Sequence, residues 1–460
     1  MIARTARMAE TSGPMPVNRE LCECSRADSV GWCPNMKLLM SYEFLLSLFV
    51  FSGLYKGYPI MTGLPVDLTV VLGVCSVVTA LLMLASRRVR LTRHRVALVV
   101  IGLLFFAWMT LSALWSTDLQ VAMHKGTVML PTVVITFLGC VLIVCSSEQR
   151  CERFINSIVL LAVVQTVVVV IAYLDQRSID GLILASGDYL GSGFLIGIAW
   201  TSVYSRIVFG KLPPRGRIVG TALLLLWGTA NMLLGGKQNL LGMALVTGWS
   251  IIAQGLAGDS LLRAGRALAL VVVLSSAILF GQHMAVGRGR SLPTVYRLWD
   301  AITNFGSSSS SQARISLMTQ AWEGWLLRPV FGHGLGSFGP DTCGGGTDVY
   351  PHNIFLEVLY EAGLVGFVAL VSFVGLSIRA LRRNRDGRND TLRMSAVLMF
   401  AFAMLTMMVS NTYADARGFF AVLGLLSVER KQSLVRNTQH LQTASAGMDE
   451  GANQDLARVP

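Results

Sequence analysis

The stretch from Arg87-Arg88-Val89-Arg90 to Arg95, and the run Val96-Ala97-Leu98-Val99-Val100-Ile101-Gly102-Leu103-Leu104-Phe105-Phe106-Ala107-Trp108-Met109-Thr110-Leu111 that follows it, decide the fold class. A cluster of arginines gives way to an apolar run without a charge. The hydrocarbon core of a bilayer is crossed by roughly 17–25 such residues in a helix. Runs of this kind recur along the 460-residue chain, which is 53% hydrophobic and only 14% charged, with a mean hydropathy of +0.58. Soluble domains carry about a quarter charged residues, so a soluble protein is excluded. The expectation is an all-α polytopic membrane protein with about twelve transmembrane helices. The spans fall near 39–55, 66–85, 96–114, 127–145, 154–174, 189–208, 218–235, 240–256, 267–281, 353–378, 394–411 and 417–428.

The arginines orient these spans. The connections Arg87 to Arg95, Ser205 to Arg217 and Arg379 to Arg393 are strongly basic and fall on one side if the spans alternate. The positive-inside rule makes that side cytoplasmic. The sequence pI near 9.6 is accounted for in this way, and nucleic acid is not the expected partner. The resulting organisation is a polar N-terminal extension (1–38), helices one to nine (39–281), one large outer loop (282–352), helices ten to twelve (353–428), and a polar tail (429–460) expected to be disordered. The extension is polar and mixed, unlike a signal peptide.

The outer loop holds Arg288, Arg290, Arg297, Arg314 and Arg328, and the serine run Ser307 to Ser311, which reads as a flexible connector. Residues 313–328 have apolar positions at helical spacing, with Trp322 and Trp325 suited to an interface, and predict a short surface helix. A turn-rich segment, Gly332-His333-Gly334-Leu335-Gly336, comes next. The loop ends at Pro351-His352-Asn353-Ile354-Phe355-Leu356-Glu357, where His352 stands at the mouth of a membrane helix. An imidazole with an ordinary pKa near 6.5 suits proton abstraction around neutrality. On the helix that follows, Asn353, Glu357, Tyr360 and Glu361 share one face. Carboxylates there are costly unless paired or wetted, so either this face looks into a cavity or the two glutamates pair with outer-loop arginines. Ala362 and Gly366 have the small-xxx-small spacing that lets another helix approach. Lys237, in Gly235-Gly236-Lys237-Gln238-Asn239, either snorkels at a tight turn or supplies charge to a phosphate-bearing lipid. Arg314 opens the surface helix, and its planar fork matches phosphate oxygens. His333 is open to a structural or a substrate-facing role, while His94, His124 and His440 read as solvated.

The sequence contains no GxxxxGK[ST] loop, no dinucleotide fingerprint and no paired carboxylates in the outer loop to hold a divalent ion. Cys22, Cys24 and Cys33 lack a fourth zinc ligand nearby; Cys343 is alone in its loop; Cys75, Cys140 and Cys145 lie in apolar runs and read as packing residues. Chemistry at the outer face therefore calls for a preactivated, membrane-borne donor, with no metal and no cofactor expected.

An ordered set of residues carries a resemblance to a known family. It runs from Ala313-Arg314 and Ala321-Trp322 through Pro329-Val330-Phe331-Gly332-His333-Gly334-Leu335-Gly336-Ser337-Phe338 to Pro351-His352-Asn353-Ile354-Phe355-Leu356-Glu357 and Glu361-Ala362-Gly363-Leu364-Val365-Gly366. The set resembles the O-antigen ligase superfamily, which takes in O-antigen ligases and Wzy-type polysaccharide polymerases. Gly187-Asp188-Tyr189-Leu190-Gly191 and Gly235-Gly236-Lys237 match more weakly. At Lys237 the family usually has arginine, so the charge is kept and the bidentate fork lost.

What the resemblance implies is a GT-C-like glycosyltransferase of the bacterial inner membrane, working at the periplasmic face. It would move a glycan from undecaprenyl pyrophosphate to a sugar hydroxyl of lipid A–core with inversion. His352 would be the general base. Lys237, Arg314 and Arg297 would bind the pyrophosphate, with Asn353, Glu357 and Asp188 in support. A Wzy-type polymerase, whose acceptor is the next lipid-linked repeat, fits the same residues; the short outer connection between spans five and six favours the ligase. A lipid-linked glycan transporter would need polar groups near the bilayer midplane and, commonly, broken helices or repeated halves; here the polar residues cluster at the outer ends of the spans, and no repeat is evident.

Overall fold

The computed structural model describes residues 36–56, 65–86, 92–175, 188–210, 212–256, 309–344, 346, 349–383 and 391–428. These residues are predominantly helical, and no strand occurs among them. After a single turn, α1 (Met36–Leu39), the elements are α2 (Tyr42–Val50), α3 (Ser52–Lys56), α4 (Leu68–Ala85), α5 (Arg93–Trp115), α6 (Leu119–Ser146), α7 (Glu148–Asp175), α8 (Tyr189–Phe209) and α9 (Pro214–Leu234). They continue with α10 (Lys237–Leu256), α11 (Ser309–Leu327), α12 (Phe338–Cys343), α13 (Ile354–Arg383), α14 (Thr391–Met407) and α15 (Arg417–Leu425).

Seven helices among the described residues, α4 to α9 and α13, are long and apolar enough to cross a membrane; α14 is apolar but shorter. The first expected span is two pieces, α2 and α3, separated at Phe51. The ninth expected span (267–281), Arg288, Arg290 and Arg297, nearly all of the extension and the tail lie outside the described residues. The surface helix expected over 313–328 is present and begins earlier. Ser309 to Ser311 form its first turn, so that part of the serine run is helix and not connector. Serine is a tolerable helix former, and favours the first turn where N–H groups lack partners.

The bundle is built around α8, almost all of which is buried between α7, α9, α10 and α14. Between membrane helices the hydrophobic drive is weak, and close fit replaces it. Gly197 of α8 shows this: a Cβ there would lie 2.1 Å from Cζ of Phe402 on α14. A second core joins α5, α6, α13 and α15 through Phe105, Phe106, Phe137, Phe373 and Phe420, whose ring centroids lie 4.8–6.5 Å apart. In contrast, α4 turns Val70, Val74, Val78, Leu81 and Leu82 outward, an apolar face suited to lipid.

Helix ends assigned to one side by the charge pattern do meet. Asn239 Nδ2, in the first turn of α10, donates to Leu190 O at the start of α8 (3.3 Å). Arg417 Nη1, at the start of α15, donates to Phe49 O at the end of α2 (3.1 Å). Trp115 Nε1 reaches Phe331 O (3.3 Å), and Ser116 Oγ reaches Leu335 O (2.8 Å). At the opposite ends of the helices, Arg153 pairs with Glu43 (3.4 Å) and Arg206 Nη1 donates to Asn156 Oδ1 (2.7 Å).

Candidate functional site

The site is assembled on a break in α13. Gly363 has φ 63° and ψ −164°, outside the helical region and open to glycine almost alone. A break releases backbone groups that must find other partners. The segment Pro329 to Gly336 supplies them. His333 N donates to Tyr360 O (2.8 Å) and Gly334 N to Glu361 O (2.8 Å), while Leu364 N donates to Pro329 O (2.8 Å) and Val365 N to Val330 O (3.3 Å). Trp108 Nε1 takes up Ala362 O at 3.1 Å. The approach is so close that a Cβ on Gly363 would stand 2.3 Å from Val330 O, and one on Gly332 2.6 Å from Gly363 N. The P-x-x-G-x-G and GLxG motifs are thus two halves of one tie. His333 belongs to it. Its Nε2 lies 2.9 Å from Gly324 O, and its ring stacks on Tyr360 with centroids 4.4 Å apart. Its Nδ1 lies 3.6 Å from Asp341 Oδ2.

His352 stands just before α13. Asn353 caps the helix, its Oδ1 accepting from Phe355 N (3.0 Å) and Leu356 N (3.2 Å). His352 itself has φ 56°, the left-handed region, at a cost of about 1–2 kcal/mol for a residue with a side chain. The half-buried ring lies 4.5 Å from that of Tyr350, and Nδ1 is buried without a hydrogen-bond partner among the described residues. Burial first, and the Arg314 guanidinium second, lower the imidazole to about 4. At neutral pH it is uncharged, with a lone pair available to take a proton.

Arg314 comes from the first turns of α11, and its charge acts on both His352 and Tyr350. It forms no ion pair among the described residues. The Tyr350 hydroxyl donates to Ser410 O (3.2 Å). Burial first, then the charges of Glu357, Asp188 and Asp415, push its phenol up to about 12 and keep it protonated.

The two glutamates of α13 are buried on a partner from another helix. Lys125 Nζ donates to Glu357 Oε1 (2.7 Å) and Glu361 Oε1 (2.8 Å), and lies 4.4 Å from the centre of the Tyr413 ring. Thr412 Oγ1 donates to Glu357 Oε1 (2.5 Å), Tyr413 N to Glu357 Oε2 (3.1 Å), and the Tyr413 hydroxyl to Glu361 Oε2. Lys125 begins a widened π-type turn, Lys125–Met129, in α6, a distortion frequent at functional sites. The polar face of α13 is therefore filled by a lysine and two hydroxyls. Among the described residues neither glutamate pairs with an outer-loop arginine. Tyr360 turns to the other side, donating to Asp341 Oδ2 (2.9 Å).

Beside this cluster lies a cavity of about 400 Å³ lined by, among others, Asp188, Tyr350, Asn411, Thr412, Asp415 and Arg417. Asp188 is the N-cap of α8, its Oδ1 accepting from Leu190 N at 2.9 Å. Arg417 donates to Phe49 O and to Ser52 Oγ (2.8 Å) and faces Asp415 at 3.4 Å.

Of the residues singled out in the sequence, Arg314 is brought within electrostatic reach of His352, which Asn353 and Glu357 follow on the chain, and Asp188 shares the cavity lining with Tyr350. Lys237 is half-buried in the first turn of α10, just past Gly235 at φ 79°; its turn is anchored to the Asp188 end of α8 through Asn239, and it makes no hydrogen bond or ion pair with the others among the described residues. Arg297 lies outside the described residues. Sequence reading missed Lys125, Tyr350, Asn411, Thr412, Tyr413, Asp415 and Arg417. Lys125 carried a signal: a lone cation at the head of an apolar run calls for a partner, and two carboxylates needed one.

Residues 194–371 match the family described as O-Antigen ligase. That segment contains Lys237, Arg297, Arg314, His352, Asn353 and Glu357, but not Lys125, Asp188, Tyr413 or Arg417. No curated protein matches the chain.

Proposed function

We propose, for a chain that carries the domain of the O-antigen ligase superfamily over residues 194–371, that it transfers a glycan from undecaprenyl pyrophosphate to a sugar hydroxyl of lipid A–core. On this reading it is a GT-C-like protein of about twelve spans in the inner membrane, with His352 and Arg314 facing the periplasm and no metal taking part. The observation that carries the proposal is the His352 imidazole, held neutral by burial and by Arg314, with a buried nitrogen lacking a partner.

The acceptor hydroxyl gives its proton to His352 as its oxygen attacks the anomeric carbon. The bond from that carbon to the pyrophosphate oxygen breaks, and the electron pair leaves with the pyrophosphate. Attack from the face opposite the leaving group inverts the anomeric centre. Arg314, with Lys237 and Arg297, stabilises the negative charge that grows on the leaving group. Arg314 also couples binding to chemistry. A bound pyrophosphate offsets the guanidinium charge that depresses His352, so the base strengthens when the donor arrives. Asn353 and Glu357 act indirectly: one caps the helix that follows His352, the other holds Thr412 and Tyr413.

The test is glycan transfer by the purified full-length protein from a lipid-linked donor, offered lipid A–core or a second lipid-linked repeat. Wild type should load lipid A–core, and His352→Ala and Arg314→Ala should lose activity by about 100-fold or more. Undiminished transfer by His352→Ala ends its role as base. Extension of the lipid-linked repeat in place of lipid A–core makes the protein a Wzy-type polymerase, with the same donor and residues.

A further inference from the structure

We infer that the cavity bounded by Asp188, Tyr350, Asn411, Thr412, Asp415 and Arg417 is a sugar-binding subsite, made for a neutral or amino-substituted pyranose ring and not for the pyrophosphate. The inference rests on the glycan-transfer reading above and assigns a part of the substrate to a place in the molecule.

Size and chemistry agree. A volume of about 400 Å³ is within the roughly 300–1,000 Å³ of small-ligand pockets and is that of a mono- or disaccharide. A ring bearing vicinal hydroxyls is recognised by carboxylates and amides that accept and donate side by side, with an apolar surface under its C–H face. Asn411 lines the cavity with an amide that makes no hydrogen bond among the described residues. Asp188 uses Oδ1 as the cap of α8 and leaves Oδ2 without a described donor. Phe51 and Phe194 supply the apolar wall.

Charge excludes the leaving group from this space. The lining carries two carboxylates, Asp188 and Asp415, and one guanidinium, Arg417. That guanidinium is held by Phe49 O at 3.1 Å, Ser52 Oγ at 2.8 Å and Asp415 at 3.4 Å. The balance is negative, which repels a polyanion. Arg314 and Lys237, which form no ion pair among the described residues, lie outside the lining, so the pyrophosphate has its cations elsewhere. Position then links the cavity to the chemistry. Tyr350 is wall to the cavity on one side and lies 4.5 Å from the His352 ring on the other. Thr412 lines the cavity and holds Glu357. A ring seated here presents an edge toward the imidazole.

The same chemistry belongs to the first sugar of the donor and to the receiving sugar of the acceptor, and kinetics separate them. Full-length wild type, Asn411→Leu and Asp415→Asn are compared in the transfer assay, and their binding of glycan-free undecaprenyl pyrophosphate and of the glycan-bearing donor is measured. Loss of about tenfold or more in kcat/KM is expected for both variants, with binding of the glycan-free lipid kept within about twofold. A raised KM for donor places the donor sugar in the cavity; a raised KM for acceptor places the acceptor sugar there. Unchanged transfer kinetics in both variants overturn the inference. Equal weakening of glycan-free and glycan-bearing lipid also overturns it, since the cavity then binds phosphate. Asp415→Asn keeps size and shape and decides the matter if Asn411→Leu does not fold. Should wild type transfer no glycan, the functional reading fails by itself. The subsite then stands only if wild type binds glycan-bearing lipid more tightly than glycan-free lipid, and the variants abolish that difference.

Discussion

At the scale of the residue, His352 combines two unfavourable conditions: a left-handed backbone and a buried nitrogen without a partner. Strain of this kind persists where surrounding structure imposes it, and it gathers at functional sites. Replacing His352 by glycine should relieve the backbone, whereas alanine should keep the strain. His352→Gly is expected to melt above His352→Ala by an equivalent of about 1 kcal/mol, with both inactive; equal melting temperatures would show that φ is not strained. The titration has a definite sign. Because burial and Arg314 lower the imidazole to about 4, the free enzyme holds its base in the active, neutral form above that pH. The acid limb of kcat/KM, which reports the free enzyme, should lie near pH 4, and that of kcat at higher pH, since bound pyrophosphate counters Arg314. Arg314→Gln should move the kcat/KM limb upward without reaching the ordinary 6.5, because burial, the larger cause, remains. A limb that Arg314→Gln leaves in place would dissociate the two residues.

At the scale of the element, the motif on either side of Gly363 shows what a sequence discloses and what it withholds. The order of Pro329, Gly332, Gly334, His352, Glu357 and Gly363 was enough to mark the region. It did not reveal that four of those six residues, Pro329, Gly332, Gly334 and Gly363, join α13 to the preceding turn, because a broken helix cannot be told from a whole one by apolar spacing. Gly363→Ala should cost about 1–3 kcal/mol from backbone conformation alone, and more from the contact with Val330 O at 2.3 Å, read as a lowered melting temperature in detergent. A variant that melts like wild type would mean the tie is dispensable. The Lys125 cluster was hidden for another reason. Lys125 and Glu357 are 232 residues apart, and nothing local pairs them. Lys125→Met, which strands two carboxylates in an apolar setting, should destabilise by about 3–5 kcal/mol, and adding Glu357→Gln and Glu361→Gln should restore part of that. Additive losses across the three substitutions would deny that they form one unit.

At the scale of the whole molecule, alternating charge between spans was legible because it depends on no contact: each basic connection reports its own side. The fold supplies the independent check that the ends assigned to one side converge. Asp188, Lys237, Arg314, His352 and Arg417 stand at helix ends that meet through Asn239–Leu190, Arg417–Phe49 and Thr412–Glu357, while Arg150, Arg153 and Arg206 stand at the opposite ends. The pairing of ends was beyond the sequence, since it is set by close fits such as Gly197 against Phe402. Convergence makes orientation testable at a few positions. A membrane-impermeant maleimide applied to intact cells with a permeabilised outer membrane should label Gln312→Cys, exposed on α11, above the level of wild type. It should label Arg215→Cys, exposed at the start of α9, only after the inner membrane is opened. The reverse pattern would place His352 and Arg314 in the cytoplasm, where the proposed periplasmic transfer could not occur.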